Sequence, residues 1–234
     1  MVKLRKISIF EDVVNLFYPR LCAGCGNPLI KGEDQICLHC LYSLHRTNFH
    51  NERDNVIEQI FWGRVLVKYA TTYCFYHKES KLQQMIFKLK YHGQKEIGSV
   101  LGYELGNELK NSVFNEIDVI VPIPLHIKKE RKRGYNQAEW IAQGIGKAMG
   151  KPVNTKSVQR TLETSTQTKK SKYERWKNVE NIFKVVDSEA IRDKHILLVD
   201  DIITTGSTLE ACIHTILETE GTVVSVATIG AAKD

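Results

Sequence analysis

The sequence has no long hydrophobic run. Its most apolar stretches, such as Ile196 to Val199 and Val223 to Val226, are the length of a strand, far short of the roughly 18 apolar residues a membrane-spanning helix needs. A membrane span is therefore not expected. A secretory leader is not expected either: Lys3, Arg5 and Lys6 supply its charge, but Glu11 and Asp12 interrupt the part that would have to be apolar, and no small-residue cleavage site follows. The expected compartment is the cytoplasm. Nor is there a strong imbalance of charge. The formal net charge of +6 is a modest basic excess, compatible with phosphate-bearing partners and not in itself a sign of nucleic acid.

What is there fits a globular protein of one large domain, or one domain with a small module: 42% of the 234 residues are hydrophobic and 26% charged. The basic residues gather in two clusters, Lys128, Lys129, Arg131, Lys132 and Arg133, then Lys169, Lys170, Lys172, Arg175 and Lys177. A solvated face is the ordinary fate of such runs.

Four of the six cysteines lie in CAGCGNPLIKGEDQICLHC, as the pairs Cys22/Cys25 and Cys37/Cys40. The Gly, Pro and Asp residues between them form turns that fold the two pairs back on one tetrahedral centre, which suits structural zinc. Disulfides would call for an oxidising compartment, and a redox CxxC would call for a strand and helix around it. His39, His45 and His50 are near enough to substitute as ligands, and Cys74 and Cys212 read as small buried residues. Ahead of the cysteines, Ile7, Phe10, Val13, Val14 and Phe17 recur at helical spacing up to Pro19. The polar stretch at about residues 46 to 58 reads as a linker. The expected division is thus a module at 1–58 and a larger domain at 59–234.

In the larger domain strand and helix patterns alternate. RVLVKYATTYCFYH is strand-like; SKLQQMIFKLKYHG places Leu82, Met85, Ile86 and Leu89 on one helical face closed by Gly93; a second helix spans about Glu96 to Lys110. Then follow a strand in IDVIVPIP, a helix ending at Gly150, a strand in HILLVDD, a helix from GSTLEA and a last strand in TVVSVATIG. Continuously apolar strands separated by helices imply an α/β fold with a parallel sheet covered on both sides. Ligands in such sheets bind at the carboxyl ends of the strands.

At one such end stand Asp200 and Asp201, followed by Ile202, Ile203 and then Thr204, Thr205, Gly206, Ser207 and Thr208. Successive side chains on a strand point to opposite sides, so the strand is expected to end at the Asp pair for both to reach one ligand. Small residues at a helix start expose N–H groups suited to a phosphate monoester, and two carboxylates accept from vicinal hydroxyls. A phosphorylated ribose offers both. The Gly-Lys of a Walker A loop is absent.

Residues 196 to 209 resemble the phosphoribosyl diphosphate motif of type I phosphoribosyltransferases. VPIPLHIKKERKRGYNQAEWIA and KSVQRTLETSTQTKKSKYERWKNVENIF look like two further hallmark stretches of the ComF family, which joins a four-cysteine zinc module to such a domain. The resemblance implies a parallel sheet with a small hood, Asp200 and Asp201 on the ribose hydroxyls, and Thr204 to Thr208 on the 5-phosphate. It also implies Mg²⁺ carried in by the diphosphate, and a flexible basic loop from Leu125 and His126, with Arg131 and Arg133, over the leaving diphosphate. Arg160, Thr161, Gln167, Arg175 and Asn178 would lie on a mobile flap. The family's best-known members act in natural transformation, so single-stranded DNA and DNA-uptake proteins are implied partners, with Tyr135, Trp140, Tyr173 and Trp176 as candidates to stack on bases. A ligand-sensing DNA-binding factor without catalysis is the rival reading. No acceptor pocket or general base is visible in the sequence.

Overall fold

Four apolar runs pair in parallel to make the central sheet. In chain order the strands are β1 (Ala70–Tyr76), β2 (Val119–Pro122), β3 (Val158–Arg160), β4 (Phe183–Val185), β5 (His195–Ile203) and β6 (Val223–Ala232). The sheet has the order β1-β6-β5-β2, and β3 pairs with β4 as a separate antiparallel ribbon. The helices are α1 (Leu38–Tyr42), α2 (Val56–Gln59), α3 (Lys81–Tyr91), α4 (Glu96–Leu109), α5 (Ile127–Arg133), α6 (Gln137–Met149) and α7 (Ser207–Leu217). The structure, a computed structural model, describes residues 18–161 and 182–232. The stripe from Ile7 to Phe17, the second basic cluster, and Gln167, Tyr173, Arg175, Trp176 and Asn178 lie outside the described residues. No helix among the described residues is long and apolar enough to cross a membrane.

Alternation along β5 divides the core into two layers. Leu197 and Val199 face α3, α4 and α6, and Ile196 and Leu198 face α7, α2 and the β3–β4 ribbon. Covering both sides is what lets these strands be apolar throughout. Cys22, Ala23, Ile36, Cys40, Leu41 and Leu44 join Met85, Ile86 and Leu89 of α3 in the first layer. The cysteine-bearing segment is thus packed on the same core as the sheet.

The polar stretch expected to be a linker runs instead along the free edge of β1. Thr47 N–H donates to the Tyr73 carbonyl at 3.0 Å, and Phe75 N–H to the His45 carbonyl at 3.1 Å. The Asn55 amide donates to the carbonyls of Glu52 at 2.9 Å and Ala70 at 3.0 Å, while its Oδ1 caps α2. Its polar residues satisfy backbone groups that an uncovered edge would leave open.

Helices α4 and α6 approach more closely than side chains allow. A Cβ on Gly102 would fall inside the van der Waals shell of the Ile141 carbonyl, and one on Gly144 would meet Ser99 and Tyr103 backbone. At an exposed helical position Gly→Ala gains about 1 kcal/mol. Here Gly102→Ala is expected to lose about 1–3 kcal/mol by overpacking, and a urea unfolding midpoint that rose would contradict this contact.

Candidate functional site

The Asp pair does not end its strand. β5 continues to Ile203 because Ile202 and Ile203 stay in register with Gly230 and Ala231 of β6. The β-branched residues hold the ladder through two acids that alone would suggest a stop. The two carboxylates consequently leave on opposite sides of the sheet. Asp201 is 4% exposed, and its Oδ2 lies 2.9 Å from Lys90 Nζ on α3. Asp200, half-buried, shares its surroundings with Arg160 of β3 and Cys212 of α7. Burial first, and then the charge of Asp201, push the Asp200 carboxyl up to about 7, against the pull of the Asp201 N–H, Lys90 and Arg160. Burial, with Asp200 beside it, pushes the Cys212 thiol up as well.

After Ile203 the chain turns through exposed Thr204 and Thr205 to Gly206, whose φ of 74° is the left-handed conformation that favours glycine, and into α7 with exposed Ser207 and Thr208. The Thr205 and Ser207 hydroxyls are 3.0 Å apart. This is a turn of hydroxyls and N–H groups at the positive end of a helix. Arg64, which no sequence pattern marked, clasps it from behind: it donates to the Thr205 carbonyl at 2.9 Å and the Ile60 carbonyl at 3.0 Å, and ion-pairs with Glu210. The strand-like run began at Arg64 in sequence, yet β1 starts only at Ala70.

The chain leaving β2 lies beside β5 just ahead of the Asp pair, because Ile123 N–H still donates to the Val199 carbonyl at 2.8 Å. Leu125 and His126 follow at once. His126 is buried, and its Nδ1 accepts from the Lys128 N–H at 3.3 Å, which leaves the proton on Nε2. The expected flexible loop is the short helix α5, stopped at Gly134 with φ 87°. Arg131, Lys132 and Arg133 sit in its last turn, where cations suit the helix dipole. Arg131 is exposed; Arg133 donates to Gln137 Oε1 and lies 5.8 Å from the Tyr91 ring centroid.

Tyr135 donates to the Leu89 carbonyl, and Lys95 Nζ covers the Trp140 ring at 4.4 Å. Both rings are engaged within the fold. Arg160 ends β3 over the Phe183 ring at 5.4 Å, and Thr161 N–H donates to the Ile182 carbonyl at 2.9 Å, so both belong to the base of the ribbon.

The four cysteine sulfurs of Cys22, Cys25, Cys37 and Cys40 all lie within 4.8 Å of one another. Gly24 and Cys37 N–H groups each donate to Cys22 Sγ at 3.3 Å, and Cys40 N–H to Cys37 Sγ at 3.4 Å. Burial opposes ionisation of Cys22, but these N–H groups outweigh it and bring the thiol well below its usual range. Glu33 ties the hairpin by accepting from Ile30 N–H at 3.0 Å and Leu38 N–H at 2.9 Å. All six cysteines are free thiols, and His50 turns instead to Glu108 at 3.5 Å. Four converging thiols stabilised by N–H donors fit a metal such as zinc.

The raised Asp200 carboxyl sets a pH dependence. It binds its proton more tightly folded than unfolded, so its contribution is full below the unfolded value of 3.8 and is lost as pH rises through about 7. Asp200→Asn is expected to raise the melting temperature by several degrees at pH 8, to leave it unchanged at pH 4, and to flatten the slope between. An unchanged slope in thermal scans across that range would contradict the burial of this charge.

Residues 98–233 match the phosphoribosyl transferase domain family. Among curated proteins, the DNA utilization protein YhgH of Escherichia coli strain K12 is 28% identical over 230 residues, covering 90% of this chain and 96% of that one. The competence protein ComFC of Bacillus subtilis is 26% identical over 85% of this chain and 72% of its own. Competence protein F of Haemophilus influenzae is 37% identical over 93 residues, 39% of this chain and 41% of that protein. Among solved structures, the glutamine phosphoribosylpyrophosphate amidotransferase from B. subtilis, complexed with ADP and GMP, is 20% identical with a TM-score of 0.43, covering 61% of this chain and 30% of that one. The adenine phosphoribosyltransferase from Leishmania tarentolae is 10% identical with a TM-score of 0.39, over 81% and 94%. With its parallel sheet and its four-cysteine cluster, the chain belongs to the phosphoribosyl transferase domain family and, within it, to the ComF group.

Proposed function

We propose that the chain binds phosphoribosyl diphosphate with Mg²⁺ and transfers its phosphoribosyl group to a nitrogen acceptor, in the service of DNA uptake or utilization. The observation that carries this reading is the acid pair near the carboxyl end of β5 followed directly by the Thr204–Thr208 turn, with its left-handed Gly206 ahead of α7. In the proposed complex the turn holds the 5-phosphate. A ribose beside β5 presents its hydroxyls toward the half-buried Asp200, while Asp201, on the opposite side of the strand, is held by Lys90. Leu125, His126, Arg131 and Arg133 stand on the neighbouring side, where a diphosphate would gain from their charge and backbone groups. Among the described residues the cysteines are the only cluster of three or more ligating side chains, which suits a Mg²⁺ that arrives with the diphosphate and keeps much of its water.

In this reaction the anomeric carbon loses diphosphate and gains a bond to nitrogen through an oxocarbenium-like transition state. The chain's contribution is positioning and charge stabilisation of the leaving group. His126 Nδ1 is occupied as a helix cap, so it is not assigned as a base. Zinc on Cys22, Cys25, Cys37 and Cys40 would have all four positions filled, a structural role. The place in DNA handling rests on the names of relatives, a competence protein and a DNA utilization protein. The exposed basic face of α5 favours a second reading, a single-stranded-DNA-binding factor that uses the ribose site as a sensor.

Phosphorus NMR of phosphoribosyl diphosphate with Mg²⁺ and the full chain tests the reading. Line broadening is expected in the unmutated protein and its loss in Asp200→Asn with Asp201→Asn; free pyrophosphate should appear only with an acceptor. Broadening without turnover, whatever the acceptor, would favour the sensor. Protein purified without chelator is expected to carry about one zinc per chain. Since Cys22 and Cys40 share a core with Met85 and Leu89, chelation should lower the melting temperature of the whole domain. A zinc content far below one by mass spectrometry would overturn the metal assignment.

A further inference from the structure

The first turn of α7 holds groups of opposite use to an anion. Its amides and dipole attract one, and the helix begins at Gly206 without a side-chain cap. Glu210, however, places a carboxylate in that same turn, and the Thr205 carbonyl is a second group that an anion would reject. One side chain gathers both. Arg64 donates from Nη1 to the Thr205 carbonyl at 2.9 Å and ion-pairs through Nη2 with Glu210. A further bond from Nη1 to the Ile60 carbonyl at 3.0 Å fixes the guanidinium itself.

The geometry of one peptide gives this clasp its meaning. The unit between Thr205 and Gly206 is trans, so its C=O and N–H point in opposite directions. With the carbonyl held toward Arg64, the Gly206 N–H is turned to the other side of the turn. Gly206 sits at φ 74°, and glycine tolerates either orientation of the peptide before it, so the backbone alone does not fix that choice. The segment that carries Arg64 also packs against the turn, since a Cβ on Gly206 would meet Ile60 Cγ2 at 2.6 Å. Ser207 Oγ lies 3.5 Å from Arg64 Nη2, so the start of α7 is held from the same side.

From this arrangement we infer that Arg64 is a positioning residue for a dianionic phosphate monoester: it keeps the Thr205 carbonyl and the Glu210 carboxylate on its own side, so that the Gly206 N–H and the first amides of α7 face the ligand. The inference rests on the proposed place of the 5-phosphate in the Thr204–Thr208 turn and adds what orients that turn. A guanidinium suits the task because its planar fork reaches a carbonyl and a carboxylate at once and stays charged. Its charge is taken up by Glu210, so Arg64 acts through the groups it restrains and not by touching the phosphate. Without it, Glu210 loses its ion pair in the very turn an anion approaches, and the peptide ahead of Gly206 is free to flip its carbonyl toward the ligand.

Titration of the full chain with ribose 5-phosphate, followed by the phosphorus line and by the Gly206 amide resonance, tests the assignment at a temperature where every variant is folded by circular dichroism. The unmutated chain is expected to bind and to move the Gly206 amide proton downfield, the sign of a hydrogen bond to an anion. Arg64→Ala should bind about 10-fold more weakly, the scale of one hydrogen bond to a charged group, with a smaller Gly206 shift. Adding Glu210→Gln to Arg64→Ala should recover part of the affinity by removing the repelling charge, and Arg64→Lys, which keeps a cation beside Glu210, should bind more tightly than Arg64→Ala. A merely structural Arg64 gives no such recovery, because Glu210→Gln restores none of its contacts. The inference is overturned if Arg64→Ala binds as tightly as the unmutated chain, or if neither Glu210→Gln nor Arg64→Lys recovers affinity. If the unmutated chain leaves both the phosphorus line and the Gly206 amide unmoved, the phosphate reading of the turn falls and the inference with it, an outcome distinct from a failure confined to the variants.

Discussion

Two like charges on consecutive residues of a buried strand are the constraint around which this fold is arranged. In a continuous ladder Asp200 and Asp201 must leave β5 on opposite sides, and each then needs its own compensation in a place where water is scarce. Lys90 supplies it on one side, at 2.9 Å from Asp201. On the other, Asp200 has the N–H of Asp201 and the charges of Lys90 and Arg160 without a direct ion pair, and burial drives its carboxyl up. The asymmetry gives one acid in direct contact with a lysine and one whose charge burial makes costly. Strain of this kind is ordinary at a binding site and has no use in a purely structural turn.

Helix α3 ties the rest of the molecule to that constraint. Its inner face, Leu82, Met85, Ile86 and Leu89, is buried against the sheet and against Cys22, Cys40 and Leu41. A Cβ on Gly24 in the first knuckle would press on the Met85 side chain. The residue after Leu89 is Lys90. The cysteine lobe therefore braces the helix that pairs with Asp201, which gives a metal in that lobe a physical route to the acid pair. Arg64 does the same for the Thr204–Thr208 turn, anchoring the Thr205 carbonyl and Glu210 from the segment that leads into β1.

Much of this was legible in the sequence. The apolar runs Val119–Val121 and Ile196–Val199, the helix ends at Gly93 and Gly150, the two CxxC pairs and the order acid pair, turn, helix each carry a local physical signal, and the structure places elements where those signals fall. What could not be read is what depends on partners distant in the chain. Ile202 and Ile203 look like the exit from a strand until Gly230 and Ala231 are set beside them. Asn55 looks like linker until its amide is seen to satisfy the Ala70 carbonyl. Lys90 and Arg64 are ordinary basic residues in sequence, since nothing in their neighbours' spacing says which carboxylate or carbonyl they will meet. The expected basic loop became α5 because His126 and Gly134 cap a seven-residue run that ends in cations.

That no general base is assigned among the described residues is consistent with the proposed chemistry. A transition state with oxocarbenium character develops positive charge at the ribose and negative charge on the departing diphosphate, so positioning an acceptor and shielding the leaving group count for more than removing a proton early. The described residues are distributed in that way. Acids sit near the strand end where the ribose hydroxyls would lie, and cations crowd α5 where the diphosphate would leave. Lys90 stands where these regions meet. Its charge faces Asp201 at 2.9 Å, so any group that took over one of the two would alter the other.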